Sequence, residues 1–359
     1  MTSTTQYHWF ISSGGDGRDL APTGERRLRQ GADYLVQVAR ASERAGFDGV
    51  MLPLGAYALD GWLLAAAMAA ETTRLRFLVS ARPGLELPTL IAQKAATLQR
   101  LSLGRLQLNI VVGSSSHDQR AYGDFLEREQ RYLRAQEFVA VVRALWRGEP
   151  ALHAGRFYTA DVAGLAAARL AEPPPVFVAG ASDLAEQVSS AEADLHALWG
   201  ETPPMVAERI ARLAGQSRAH GRPPVGFALR IHVIARATAA AAWEEAARLL
   251  RGLSPQLIAS AQQQLARSES VGQARMRALH QGRAVDDVRA LEVYPNIWSG
   301  VGLVRGGAGT AIVGSYDEVA QRIEEYRGLG VGVFLLSGYP NLEEAAVVGR
   351  HVLPRLRGV

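Results

Sequence analysis

Short runs rich in β-branched and aromatic residues alternate with longer stretches of helical periodicity along almost the whole chain. This alternation marks parallel βαβ units, because a strand rejoins its neighbour in parallel only through a long crossover, usually a helix. Eight runs read as strands: His8–Ile11, Gly49–Leu52, Leu75–Val79, Leu106–Val112, Pro175–Ala179, Leu195–Trp199, Gly226–Ile234 and Val331–Leu336. Helical spacing covers residues 34–45, 62–70, 89–101, 129–146 and 204–220, and resumes at Leu342. Eight such repeats in 359 residues predict an α/β fold, a (β/α)8 TIM barrel spanning 1–359 as one domain. A doubly wound open sheet is the main alternative. No GxGxxG follows the early strands, which weakens a dinucleotide-binding reading.

The alternation breaks between the seventh and eighth strands. Residues 253–313 are rich in Gln, Ser, Arg and Gly, and within them Pro255–Arg267 reads as helical. A stretch this long is an insertion, and long loops at a barrel mouth commonly serve as lids. A mobile lid over about 253–313 is therefore expected. It contains Arg305-Gly306-Gly307-Ala308-Gly309-Thr310. Three glycines in four residues cannot pack a core, so they serve a turn, a close approach or motion. Arginine suits a planar, bidentate grip on an oxyanion. The segment alone is equally compatible with a closing arginine and a solvated one.

Composition narrows the function. The chain has no cysteine, which excludes disulfides, cysteine-bound metals and a cysteine nucleophile, and fits a reducing, cytoplasmic setting. No secretory leader and no membrane span are expected. The net charge of +4 is spread out, without the clustered basic and aromatic residues of a nucleic-acid binder, and leaves small anionic molecules as partners. The eight histidines are scattered, with no HxH or HExxH spacing, so no metal site is expected. GxSxG and P-loop motifs are absent.

In a barrel, reacting groups lie at the C-terminal ends of strands. Arg230 and His232 occupy one face of an otherwise apolar strand, since side chains alternate with period two. A buried cation without a partner is costly, so the economical reading is that both face an anion at the mouth. Trp199 ends the sixth strand, either as rim packing or as a pocket wall. Tyr339, in Ser337-Gly338-Tyr339-Pro340, is either a proton donor or part of a simple turn. Gly180-Ala181-Ser182 precedes a helix and leaves N–H groups for a phosphate, a weak signal in isolation. Arg131-Tyr132 could complement that phosphate, although a solvated helix face is the commoner role for such a pair.

These residues make the chain resemble the bacterial luciferase-like flavin monooxygenases, and within them the alkanesulfonate monooxygenase group. The likeness runs nearly end to end, through Trp9-Phe10, Gly15-Asp16-Gly17, Gln93–Leu98, Asn109–Ser114, Trp199-Gly200-Glu201, Arg230–Ile234, Ser270–Gln273, Pro295–Trp298, Gly302–Thr310 and Leu336–Glu344. It implies a (β/α)8 barrel with a mobile insertion and FMN as cofactor, used as FMNH2 from a separate NAD(P)H-dependent flavin reductase, with O2 as co-substrate. It further implies a flavin C4a-(hydro)peroxide that oxygenates an organosulfonate to aldehyde and sulfite, and a homodimer or homotetramer. Residue by residue, the resemblance puts Trp199, Arg230, His232 and Tyr339 in the substrate pocket and makes Arg305 the closing arginine. Ser80, Asn109, Gly113, Ser114, Tyr132, Ala181 and Ser182 would hold FMN. The chain departs from the alkanesulfonate pattern at Gly14, where a histidine is expected, at Ala58, where a cysteine is, and at Leu59-Asp60, where Glu-Asp stands. These departures leave open a different sulfonate, a sulfonated sugar or a specialised metabolite without sulfur.

Overall fold

The computed structural model describes residues 4–21, 31–149, 152–161, 165–283 and 285–358. Eight parallel strands close into a barrel: β1 (Gln6–Phe10), β2 (Gly49–Leu52), β3 (Arg76–Ala81), β4 (Leu106–Ile110), β5 (Val176–Ala179), β6 (Leu195–Trp199), β7 (Gly226–Arg236) and β8 (Val331–Ser337). Each pairs with the next, and β8 closes on β1 through Gln6 opposite Val333. The sequence reading placed all eight, and closure excludes the open sheet.

The helices α1 (Ala32–Arg44), α2 (Gly61–Ala70), α3 (Pro88–Leu101), α4 (Arg128–Arg147), α5 (Asp183–Glu192) and α6 (Pro203–Ala219) follow the first six strands. Their starts are written locally. Asp60 caps α2 by accepting from the N–H groups of Trp62 and Leu63, both at 2.9 Å, and Pro88 and Pro203 open α3 and α6. Outward-facing strand residues such as Tyr7, Trp9, Val50 and Phe77 pack against these helices in the main core. A smaller inner cluster of Leu78, Phe177, Ala197, Ala228, Val333 and Leu335 plugs the barrel interior.

The segment between β7 and β8, read from the sequence as an insertion with one helix, is a folded body with further helices and short strands. After α7 (Ala239–Arg251) come α8 (Pro255–Ala266) and α9 (Val271–His280), then short strands Glu292–Tyr294 and Ile297–Trp298. A further strand, Ala311–Ser315, runs parallel to the upper half of β7, with Ala311 opposite His232. Helix α10 (Tyr316–Gly328) then leads into β8, and α11 (Asn341–His351) follows it. Ion pairs fasten the segment to the rest of the fold, among them Arg275 with Glu201 at 2.7 Å, Glu269 with Arg131 at 3.0 Å and Arg248 with Asp19 at 2.8 Å. Among the described residues, no helix is long and apolar enough to cross a membrane.

Candidate active site

Above the inner plug, the next inward residue of each strand lines a cavity of about 820 Å³. Phe10, Ser80, Asn109, Trp199, Arg230, His232, Ser337 and Tyr339 all face it, as period-two alternation requires. Its volume lies toward the upper end of the roughly 300–1,000 Å³ usual for ligand sites. Among the residues proposed from the sequence, Gly113, Ser114, Tyr132, Ala181 and Arg305 line it as well. Ser182 stands off the wall. Its hydroxyl caps α5 by accepting from the N–H of Ala185 at 3.2 Å. Arg131 is turned away from the cavity wall too, toward Glu269 and the carbonyl of Leu126.

Arg230 is buried, with its guanidinium carbon 4.3 Å from the centroid of the Phe10 ring. Among the described residues it has no carboxylate partner. It donates to the carbonyls of Ile231 and Leu335, at 3.0 and 3.4 Å, and to the hydroxyl of Ser337 at 2.9 Å. Burial pulls its pKa down to about 10, and the hydroxyls of Tyr339 and Tyr57 offset part of that pull. It remains a cation at neutral pH.

A hydrogen-bonded chain runs from this cation to the insertion. Ser337 Oγ lies 2.7 Å from His232 Nδ1, and His232 Nε2 lies 3.1 Å from the carbonyl oxygen of Ala308. A carbonyl only accepts, so Nε2 carries the proton and Nδ1 accepts from Ser337. Burial first, then the charge of Arg230, hold the imidazole pKa well below its usual value. His232 is therefore neutral, with both nitrogens engaged. Its ring stacks on Tyr339, with centroids 5.3 Å apart.

The glycine-rich segment forms the cavity's cover. Arg305 donates to the carbonyl of Leu20, and the N–H of Gly307 donates to Gln273 Oε1 at 3.0 Å. Gly307 has φ +87°, a left-handed conformation that explains glycine there. On the opposite wall, Asn109 Nδ2 donates to Ser80 Oγ at 3.0 Å, while Asn109 Oδ1 is buried without a hydrogen-bond partner among the described residues.

The sequence matches the luciferase-like monooxygenase family over residues 5–332. The chain belongs to that family. Among solved structures, the luciferase-like chain is similar to the EDTA monooxygenase of Chelativorans sp. BNC1, with 22% identity, a TM-score of 0.77, and 99% and 94% of the two chains covered. A riboflavin lyase solved with modified FMN and riboflavin matches at 22% identity and TM-score 0.77, covering 99% and 92%. A long-chain alkane monooxygenase matches at 19% and 0.75, covering 100% and 92%. At these identities the likeness shows a shared fold.

The sequence reading missed Tyr57 and Arg82 on this luciferase-like cavity wall. Arg82 is buried and pairs with Asp118 at 2.7 Å. Among the three departures, Gly14 lines the cavity, whereas Ala58 and Leu59 stand outside the lining.

Proposed function

We propose that this chain is a reduced-flavin-dependent monooxygenase that oxygenates the sulfonate-bearing carbon of a small organosulfonate. The balanced reaction takes R–CH2–SO3⁻, O2 and reduced flavin to R–CHO, sulfite, water and oxidised flavin. The observation that carries this reading is Arg230, a buried cation without a carboxylate partner, facing the cavity beside Tyr339. Leaving a cation in that state costs stability, and an anionic substrate supplies the missing partner.

The cavity fits a flavin. Asn109 Oδ1, a buried acceptor without a partner among the described residues, suits a ring N–H, with Ser80 fixing its amide. Gly113, Ser114, Tyr132 and Ala181 extend this wall toward the start of α5, where a phosphate is favoured. When bound, FMN would supply an oxygen-reactive ring, reduced by a separate reductase. The protein's own part is binding and proton control. Arg230 holds the anion over Phe10, and Tyr339 presents a hydroxyl that can donate to a developing oxyanion. His232, neutral and engaged at both nitrogens, holds Ser337 and the cover in place. Arg305 and the glycine segment exclude water.

The test is sulfite release with reduced FMN, oxygen and a panel of sulfonates. Release from none of them rejects the substrate class. Gly14 favours a second reading, the same oxygenation of a non-sulfonate anion, because this departure from the alkanesulfonate pattern lines the cavity. Labelled oxygen entering such a compound, with sulfonates inert, would establish it.

A further inference from the structure

Tyr57 lies on the cavity wall and is 73% exposed. Its ring lies against two glycines, Gly14 at the Cδ2–Cε2 edge and Gly55 at the Cδ1–Cε1 edge. A Cβ at Gly14 would lie 2.6 Å from Tyr57 Cδ2, and one at Gly55 2.9 Å from Tyr57 Cε1. Both distances are well inside ordinary contact, so the ring fills the volume that a side chain at position 14 would need. Gly14 lacks a left-handed φ, so glycine supplies space there and not conformational freedom.

The loop that carries Tyr57 is braced. The N–H of Ala56 donates to Asp118 Oδ1 at 3.0 Å, Asp118 Oδ2 accepts from Arg82 at 2.7 Å, and Arg82 reaches the carbonyl of Leu54 at 3.4 Å. Arg230 lies within electrostatic range of the Tyr57 hydroxyl, as it does of Tyr339. A largely exposed aromatic ring on a braced loop thus stands in the same cavity as the cation that has no carboxylate partner among the described residues.

We propose that Tyr57 is a stacking platform that sets specificity, and that the substrate is an anion whose charged group sits one carbon from a planar unsaturated ring, as in an arylmethyl sulfonate. This rests on reading Arg230 as the anion site. The intervening CH2 keeps the hydrogen that an aldehyde product requires. Ring on ring gains more than burial alone, because offset aromatic pairs add their own attraction. A saturated ring of the same size gains only burial.

The test is titration calorimetry of the FMN-loaded full chain with phenylmethanesulfonate and cyclohexylmethanesulfonate, and with phenylacetate and cyclohexylacetate. The planar member of a pair binds about three- to tenfold more tightly. Tyr57→Leu brings that ratio close to one, Tyr57→Phe keeps it, and Gly14→Val, which displaces the ring, acts like Tyr57→Leu. FMN affinity stays constant in all three. If Gly14→Val does not fold, Tyr57→Leu decides, since it changes a largely exposed side chain. Equal binding within both pairs, a ratio that survives Tyr57→Leu, or no binding of any probe overturns the proposal. A ratio seen only with the acetates keeps the platform and removes the sulfonate reading. Sulfite released equally from both sulfonates, unaffected by Tyr57→Leu, keeps the sulfonate reading and removes the platform.

Discussion

Two buried histidines, one in the seam between barrel and helices and one at the mouth, share a motif and differ in what it does. His196 on β6 sits with its Nδ1 2.6 Å from Ser189 Oγ on α5, and its ring meets the edge of Phe227. His232 on β7 sits with its Nδ1 2.7 Å from Ser337 Oγ on β8. In the seam, the pair ties a strand to its neighbouring helix. At the mouth, the same serine also receives a guanidinium, and the second ring nitrogen grips the cover. The bond itself is not diagnostic. What separates the two regions is the cation without a described carboxylate partner at one end of the chain and a carbonyl of the insertion at the other.

The largest expected effect treats both regions alike. Burial lowers the pKa of His8 and His196 to about 3 and holds His232 well below its usual value. The unfolded chain takes up a proton at each near pH 6.5. Between that value and the folded pKa, the unfolded state binds more protons, so stability rises with pH. It is fully present above about pH 6.5 and is lost as pH falls toward 3. Each histidine contributes up to about 1.4 kcal/mol per pH unit in that window. Denaturant midpoints across pH 3–8 check this. Replacing any one of the three with glutamine should remove about one proton from the slope.

Arg230→Met separates the regions most strongly. Anion affinity and kcat/KM should fall by roughly 100-fold or more, since a charged hydrogen-bonding partner is lost. The melting temperature should rise, because an uncompensated buried charge is replaced by a side chain of similar volume. Calorimetric titration and thermal denaturation read the two effects, and FMN affinity should not move. A fall in melting temperature would mean that the bonds from Arg230 to Ser337 and the carbonyls outweigh its burial.

The barrel and the mouth were legible in the sequence to different depths. The eight strands were visible because each is a short apolar run bounded by turn residues, and Arg230 and His232 stood out because period two puts both on one face of β7. The strand Ala311–Ser315 was hidden behind a glycine run, although five residues suffice once β7 offers an unpaired upper edge. Helix α9 shows only a weak apolar stripe, and its packing on the turn Gly300–Leu303 of the same insertion decides it. Ser182 precedes a helix, where capping and phosphate binding favour the same residue type; the fold shows the cap, with Ser182 Oγ accepting from the N–H of Ala185. Tyr57 could not be found locally, because its seat is made by Gly14, far away in sequence, together with the neighbouring Gly55.

Removing each histidine ring comes next in size. His232→Ala breaks the link between Ser337 and Ala308, so kcat should drop about 10- to 100-fold, and amide exchange should quicken over residues 304–309. His196→Ala leaves a cavity and an unpaired hydroxyl in the seam, which should cost about 1–3 kcal/mol of stability, with kcat per folded molecule unchanged. Exchange mapped by mass spectrometry, alongside single-turnover rates, tells the two apart. Equal exchange over 304–309 in both variants would remove the role of His232 in holding the cover.

The smallest effect is the sharpest test of the shared bond. Ser189→Ala and Ser337→Ala delete the same contact to Nδ1 in the two places. In the seam, the loss is one buried hydrogen bond, about 1 kcal/mol of stability. At the mouth, it leaves His232 Nδ1 without its donor and Arg230 without one acceptor. The ring then has a lone pair free to take a proton, and the imidazole pKa should move upward from its depressed value. A two- to tenfold loss in kcat that worsens below neutral pH is expected for Ser337→Ala, with no such pH dependence for Ser189→Ala. Profiles of kcat from pH 5.5 to 8 distinguish these outcomes. If the Ser337→Ala profile stays flat, the serine only fills space, and the hydrogen-bonded chain from Arg230 to the cover does not govern turnover.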